Sequence, residues 1–173
     1  MLIISQSWRI GLRDNMISLD RTDRRILELL QNDGRISNLE LADKVGLSAS
    51  PCSRRVKQLE DCGIINKTVT ILNREKLGLK LSAIVQISMD RHTPDRFETF
   101  EETLLGCPEV ISCMLITGQA ADYMIEVLVE DMDAYQAFLL GKLTRIPGVT
   151  GVHSSFVLRK IIDRTAVPLN HMK

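Results

Sequence analysis

"GLSASPCSRRVKQLEDCGII", residues 46–65, decides the fold of the first part of the chain, because it places a basic, amphipathic helix directly after a glycine turn. Ser48 or Ser50 can cap this helix, and Pro51 is tolerated in its first turn, where a backbone N–H would have no partner. At about 100° per residue the apolar side chains fall on one stripe and the cationic ones fall opposite. The stretch therefore predicts a helix with one buried face and one outward, mostly cationic face.

The residues before this stretch predict two more helices. The segment "LDRTDRRILELLQNDGR" reads as a helix that Asp20 opens and that closes near Gly34. Next, Ser37 and Glu40 have the spacing of a capping box, and Gly46 can take the left-handed conformation that ends a helix. Two short helices joined by a tight glycine turn form a helix-turn-helix.

The outward face of the helix fits the major groove of double-stranded DNA. Arg and Lys donate to guanine or phosphate, Gln to adenine, and Ser to either. The predicted DNA-binding residues are Ser48, Ser50, Pro51, Ser53, Arg54, Arg55, Lys57 and Gln58. Of these, Arg55 lies nearer the core edge and is interpreted as a phosphate clamp. A charged face can also be merely solvated, but the capped preceding helix and the short turn favour presentation to a ligand.

The segment after the helix, "IINKTVTILN" at 64–73, is β-branched and roughly alternating, which predicts a strand or short wing. From Leu81 onward, alternating and helical patterns follow in the order βαββαβ. Leu104, Pro108 and Val110 recur 39 residues later as Leu143, Pro147 and Val149. This echo marks the same helix-to-strand corner twice, and it predicts a ferredoxin-like sheet with two helices on one face. The predicted fold class is α+β.

The other face of the sheet would stay bare unless a second subunit covered it. Met89, Met114 and Met124 are candidates for that face, where a dimer would bury them. Dimerisation also suits a helix-turn-helix, because two recognition helices must reach half-sites about one DNA turn apart.

Composition and charge limit the classes of function. The formal net charge is zero, but residues 1–80 hold 14 Lys and Arg against 10 Asp and Glu, and residues 81–173 hold 8 against 12. A basic part that meets a polyanion and an acidic part with another task are therefore expected. The four cysteines form no CxxC pair, which argues against zinc and for reduced thiols in the cytoplasm. No apolar run approaches the ~18 residues of a membrane span, so no membrane partner is expected.

The predicted domains have these boundaries: an N-terminal extension at 1–18, a DNA-binding domain with a linker strand at 19–80, a βαββαβ oligomerisation domain at 81–163, to which the resemblance described next adds ligand sensing, and a tail at 164–173. Three stretches, "LDRTDRRIL", "GRISNLELADKVGLSASPCSRRVKQLEDCGII" and "LTRIPGVTGVHSSFVLR", closely resemble the Lrp/AsnC family of transcriptional regulators. The resemblance implies a winged helix-turn-helix joined to an effector-sensing αβ sandwich. It also implies an amino-acid effector, homodimers that often assemble to octamers, and no cofactor.

The resemblance further implies an effector site around a Gly-x-x-Asp-Tyr loop, which is one residue longer here. The residues that this loop carries over are Thr117, Gly118, Gln119, Asp122 and Tyr123. Backbone N–H groups near Gly118 can bind a carboxylate, Asp122 can pair with an ammonium group, and Tyr123 can wall the side-chain pocket. The alternative is a plain hairpin turn in which the Asp-Tyr pair only caps the strand.

Two competing functions share this architecture. Sirohaem decarboxylases resemble it and are enzymes, but His92 and His153 are the only histidines in the regions predicted to fold, and His153 is interpreted as structural. No paired carboxylates, nucleophile elbow or phosphate loop is present, so no enzymatic activity is expected. The second competitor is an architectural protein that compacts DNA with low sequence specificity. The leading hypothesis is a sequence-specific, cytoplasmic regulator whose DNA affinity or oligomeric state responds to an amino acid or related metabolite.

Overall fold

The structure, a computed structural model, describes residues 19–118 and 121–171. The described chain forms two compact units, one made of 19–70 together with 164–171 and the other of 71–163. The extension predicted at 1–18 lies outside the described residues. None of the helices that the described residues form has the length and apolar character needed to cross a membrane.

The first unit is built from three helices: α1 at Arg21–Asn32, α2 at Asn38–Val45 and α3 at Ala49–Asp61. Asp20 caps α1 and forms a capping box with Asp23, whose backbone N–H it accepts at 2.8 Å. Ser37 and Glu40 form the predicted capping box of α2, and Gly46 ends that helix at a φ of 70°. These local signals confirm the predicted helix-turn-helix.

The three helices enclose one apolar core, in which Ile26 and Cys52 are fully buried. The buried residues of this core are Leu19, Ile26, Leu27, Leu41, Ala42, Cys52 and Leu59. Residues 64–73 were predicted to form a strand or a short wing, and the strand is wrong, since 66–73 form neither helix nor strand up to the turn at Arg74. A β-branched segment becomes a strand only beside a hydrogen-bonding neighbour, and no strand of the described chain pairs with it.

The C-terminal tail belongs to the first unit and lies against α1. The side-chain amide of Gln31 donates to the Val167 carbonyl at 3.2 Å, and its oxygen accepts the Val167 N–H at 3.0 Å. Leu169 packs against the three-helix core. The tail therefore docks on the first unit at Val167 and Leu169.

The second unit is a four-stranded antiparallel sheet with helices on one face. Its elements are β1 at Leu81–Met89, α4 at Pro94–Leu105, β2 at Val110–Leu115, β3 at Tyr123–Val129, α5 at Met132–Gly141 and β4 at Val149–Phe156. The strand order β2-β3-β1-β4 is that of the predicted ferredoxin-like sheet, and all three strand pairs are antiparallel. Leu104 and Leu143, the two residues related by the 39-residue echo, are both buried before their corners.

Strand alternation assigns the two faces of the sheet. Val85, Ile87 and Met89 point to the helices and are buried in the core, so the prediction that Met89 lies on the bare face is wrong. Met114 and Met124 are cross-strand partners on the opposite face, where Met114 is exposed and Met124 half-buried. That face of the sheet, called the open face below, carries no helix of this unit.

Candidate nucleic-acid interface and effector loop

The turn between α2 and α3 sets the direction in which α3 leaves. The N–H groups of Gly46 and Leu47 donate to the carbonyls of Asp43 and Ala42 at 3.2 and 2.9 Å, which closes α2. The side-chain amide of Asn38 then donates to the Ala49 carbonyl at 2.9 Å and ties the start of α2 to the start of α3. The second helix is therefore held in place at its N-terminal end, where a recognition helix contacts base edges.

The buried and exposed sides of α3 match the predicted stripes. Cys52 and Leu59 are buried, while Arg54 and Lys57 on the opposite side are exposed. Neither cation forms an ion pair with any residue that the structure describes. The exposed residues on the same helix and its cap are Ser48, Ser50, Ser53 and Gln58, and Pro51 is half-buried in the first turn. Ser48 is the N-cap residue, but its side chain accepts no capping hydrogen bond.

The contacts of Arg55 differ from those expected of a residue that is free to bind phosphate. Its Nη1 lies 2.7 Å from a carboxylate oxygen of Asp20 and 2.7 Å from one of Asp23, at the N-terminus of α1. The hydrogen bonds to Asp23 and then to Asp20 raise the pKa of Arg55 above its ordinary value. Since the guanidinium already has two partners, it anchors α3 to α1. The sequence shows both carboxylates, but not that they meet an arginine more than 30 residues away.

The first unit has less excess charge than the half-chain count indicated. Residues 19–70 contain nine Lys and Arg and eight Asp and Glu, so the larger excess of residues 1–80 comes from outside this segment. The cationic character of the DNA-binding candidate is therefore local to the exposed side of α3. This surface would therefore attract a polyanion through a few specifically placed cations and not through a large net positive charge of the unit.

The loop between β2 and β3 contains the predicted effector residues. Thr117 and Gly118 are exposed, Gly118 adopts a φ of 91°, and Gln119 lies outside the described residues. The backbone of Asp122 pairs on both sides: its N–H donates to the Ile87 carbonyl and its carbonyl accepts the Ile116 N–H, each at 2.8 Å. This part of the loop therefore belongs to the end of the sheet.

The carboxylate of Asp122 has two partners. Its Oδ2 accepts the Met89 N–H at 2.7 Å, and its Oδ1 lies 2.7 Å from Nε2 of His92. The side chain of Asp122 is 19% exposed, whereas that of His92 is 71% exposed. A largely buried carboxylate beneath an exposed ring can accept a cationic group if the ring moves away.

Tyr123 does not line a surface pocket of this unit. It is 1% exposed and lies in the core, with its ring centroid 4.5 Å from that of Phe100 and its hydroxyl donating to a Glu101 oxygen at 2.8 Å. Burial, together with the Glu101 carboxylate, raises the pKa of the Tyr123 hydroxyl above its ordinary value. Tyr123, which was expected to line the effector pocket, is thus a core residue, because the alternation of side chains along β3 points it towards α4.

Sequence models of two known domain families match the chain. A model described as winged helix-turn-helix DNA-binding matches residues 19–66. A model described as Lrp/AsnC ligand binding domain matches residues 82–167. The two matches follow one another along the chain and correspond to the helical segment and the sheet.

Characterised proteins are similar over most of the chain. The Bkd operon transcriptional regulator of Pseudomonas aeruginosa is 46% identical over 154 residues, which cover 89% of this chain and 100% of that protein. The leucine-responsive regulatory protein of Escherichia coli is 41% identical over 143 residues, covering 83% and 87%. The crystal structure of a transcriptional regulator from Neisseria meningitidis in complex with L-Met has a TM-score of 0.86 at 42% identity, covering 90% of this chain and 99% of that one.

Proposed function

Because the chain belongs to the Lrp/AsnC family of transcriptional regulators, we propose that it binds specific DNA sites through α3 and that an amino acid bound by the sheet unit modulates this binding. The observation that carries the DNA part is the exposed side of α3, where Arg54 and Lys57 have no ion-pair partner among the described residues. These cations project from a helix whose start is fixed by the preceding turn. This arrangement suits a duplex, which supplies acceptors in the groove and on the backbone.

The proposed roles follow the chemistry of each side chain. Arg54 reads a base edge, because a guanidinium can donate two bonds to guanine O6 and N7. Lys57 and Gln58 contact phosphate or adenine from the next turn. The residues nearest the start of the helix, which approach the sugar-phosphate backbone and the groove floor, are Ser48, Ser50, Pro51 and Ser53. Arg55 acts as a positioning residue through its ion pairs with α1.

We propose that the functional form is a homodimer that assembles further, up to an octamer. Support comes from the open face of the sheet, where Met114 is 47% exposed next to Met124. A second copy packed on this face would remove apolar area from water. It would also supply the second recognition helix that two half-sites require. Such a regulator acts where the DNA is, in the cytoplasm.

The proposed effector is an α-amino acid at the loop between β2 and β3. Asp122 is the ammonium partner, and backbone N–H groups near Gly118 hold the carboxylate. Relatives support this class of ligand: one is named a leucine-responsive regulatory protein, and another was crystallised with L-Met. The named relatives are regulators, which supports a non-enzymatic role without a cofactor.

One binding experiment tests both parts of the proposal. Fluorescently labelled DNA from upstream of the protein's own gene is titrated with the full chain at several salt concentrations, with and without each of the twenty amino acids. We expect salt-dependent binding, a few phased footprints, and a shift in affinity with at least one amino acid. Uniform protection along the DNA would indicate a compacting protein instead. Absence of any DNA binding would overturn the proposal.

A further inference from the structure

The position of Asp122 is fixed by β1. Its backbone N–H donates to the Ile87 carbonyl, and its carboxylate Oδ2 accepts the Met89 N–H at 2.7 Å. One carboxylate oxygen is therefore committed to the sheet. A ligand that pairs with Asp122 has Oδ1 as the oxygen left for it.

His92, in the loop between β1 and α4, already occupies Oδ1. Its Nε2 lies 2.7 Å from that oxygen. The imidazole nitrogen therefore stands next to the carboxylate oxygen that an ammonium group would approach. The exposed ring has one further described ring contact, a tilted arrangement with Phe97 at a centroid distance of 6.1 Å. Such a ring can turn into solvent without disturbing the core.

We propose that His92 is a built-in competitor of the amino-acid effector, an inference that rests on the proposed function of Asp122. The imidazole holds the place on Oδ1 that the effector's ammonium group takes. The amino acid binds after His92 has turned away, and His92 thereby sets the concentration at which the protein responds.

The size of the effect follows from population arithmetic. The observed dissociation constant equals the intrinsic one divided by the fraction of molecules in which Oδ1 is free. A contact with a mostly exposed histidine is weak, so the competition weakens effector binding by about three- to tenfold and does not abolish it. Removing the imidazole should tighten effector binding by the same factor.

The test is isothermal titration calorimetry of the full chain with L-methionine and with L-leucine. The variants are His92→Ala, Asp122→Asn and a matched control, His171→Ala, which removes an exposed histidine from the tail. Asp122→Asn keeps an oxygen that can accept the Met89 N–H, so the loop retains its anchor, and thermal melting checks that each variant folds. We expect His92→Ala to bind about three- to tenfold more tightly than wild type, the control to match wild type, and Asp122→Asn to lose binding.

Other outcomes separate the two ideas. If wild type and His92→Ala bind equally while Asp122→Asn loses binding, the effector site stands and the competition is wrong. Weaker binding by His92→Ala also overturns the competition, since the imidazole would then contact the ligand. If Asp122→Asn binds like wild type, the proposed site fails, and the competition fails with it. If neither L-methionine nor L-leucine binds any of the proteins, the competition with these two amino acids is overturned, whereas the effector class is decided by the titration with all twenty.

Discussion

Replacing Arg55 by methionine tests how α3 is held against the rest of the first unit. The substitution keeps most of the aliphatic stem and removes the guanidinium, which lies 2.7 Å from carboxylate oxygens of both Asp20 and Asp23. The Asp23 side chain is 15% exposed and that of Arg55 30%, so their bond is worth about 1–2 kcal/mol. Asp20 is 50% exposed, and solvent screening reduces its share to about 0.5 kcal/mol. The expected total loss is about 2 kcal/mol.

Native-state hydrogen exchange of the full chain measures this loss locally, since amides of α1 and α3 report the opening free energy of the helices they belong to. A double-mutant cycle with Asp23→Asn should give a coupling energy of about 1 kcal/mol, and one with Asp20→Asn a smaller value. The helix would then be presented less firmly, and DNA affinity should fall for specific and non-specific sequences alike. A coupling energy near zero for both pairs would refute the anchoring role of Arg55.

Three further perturbations have defined outcomes. Gly46→Ala should destabilise the first unit by about 1 kcal/mol in urea unfolding, because the φ of 70° is strained for alanine although no atom would clash; an unchanged midpoint would count against this. The Asp23 N–H, together with Arg55, holds the pKa of the Asp20 carboxyl below its ordinary value. The ionised Asp20 carboxylate therefore stabilises the folded protein above about pH 4, and this stabilisation is lost as the pH falls through the folded-state pKa of Asp20. In Asp20→Asn the free energy of unfolding should therefore depend less on pH in the acid range than in wild type. The same pH dependence in both proteins would contradict this role of Asp20. Removing residues 164–173 should raise exchange in α1, where the tail docks, and equal protection in both chains would disprove that docking.

The local features of the fold were predictable from the sequence. The capping box of Ser37 and Glu40 and the glycine that ends α2 depend on residues a few positions apart, so their spacing alone indicates the structure. The 39-residue echo likewise repeats one corner twice, and the sheet topology follows from it. Each of these patterns can be recognised from the spacing of the residues that form it.

Features that depend on distant partners were not predictable. Arg55 meets carboxylates 32 and 35 residues away, and nothing in the spacing of α3 indicates them. Alternation shows that β1 has two faces but not which face the helices cover, and for that reason Met89 was placed on the wrong side. The β-branched segment at 64–73 has strand propensity without a partner strand in the described chain.

The central claim is that the exposed side of α3 reads DNA sequence. The most direct measurement compares Arg54→Ala with Arg21→Ala, which removes an equal charge from the exposed start of α1, by titrating each variant into a footprinted site and into unrelated DNA at one salt concentration. We predict that Arg54→Ala loses about 1–3 kcal/mol of the preference for the specific site, while Arg21→Ala keeps that preference. Equal preference in wild type and Arg54→Ala would contradict the claim.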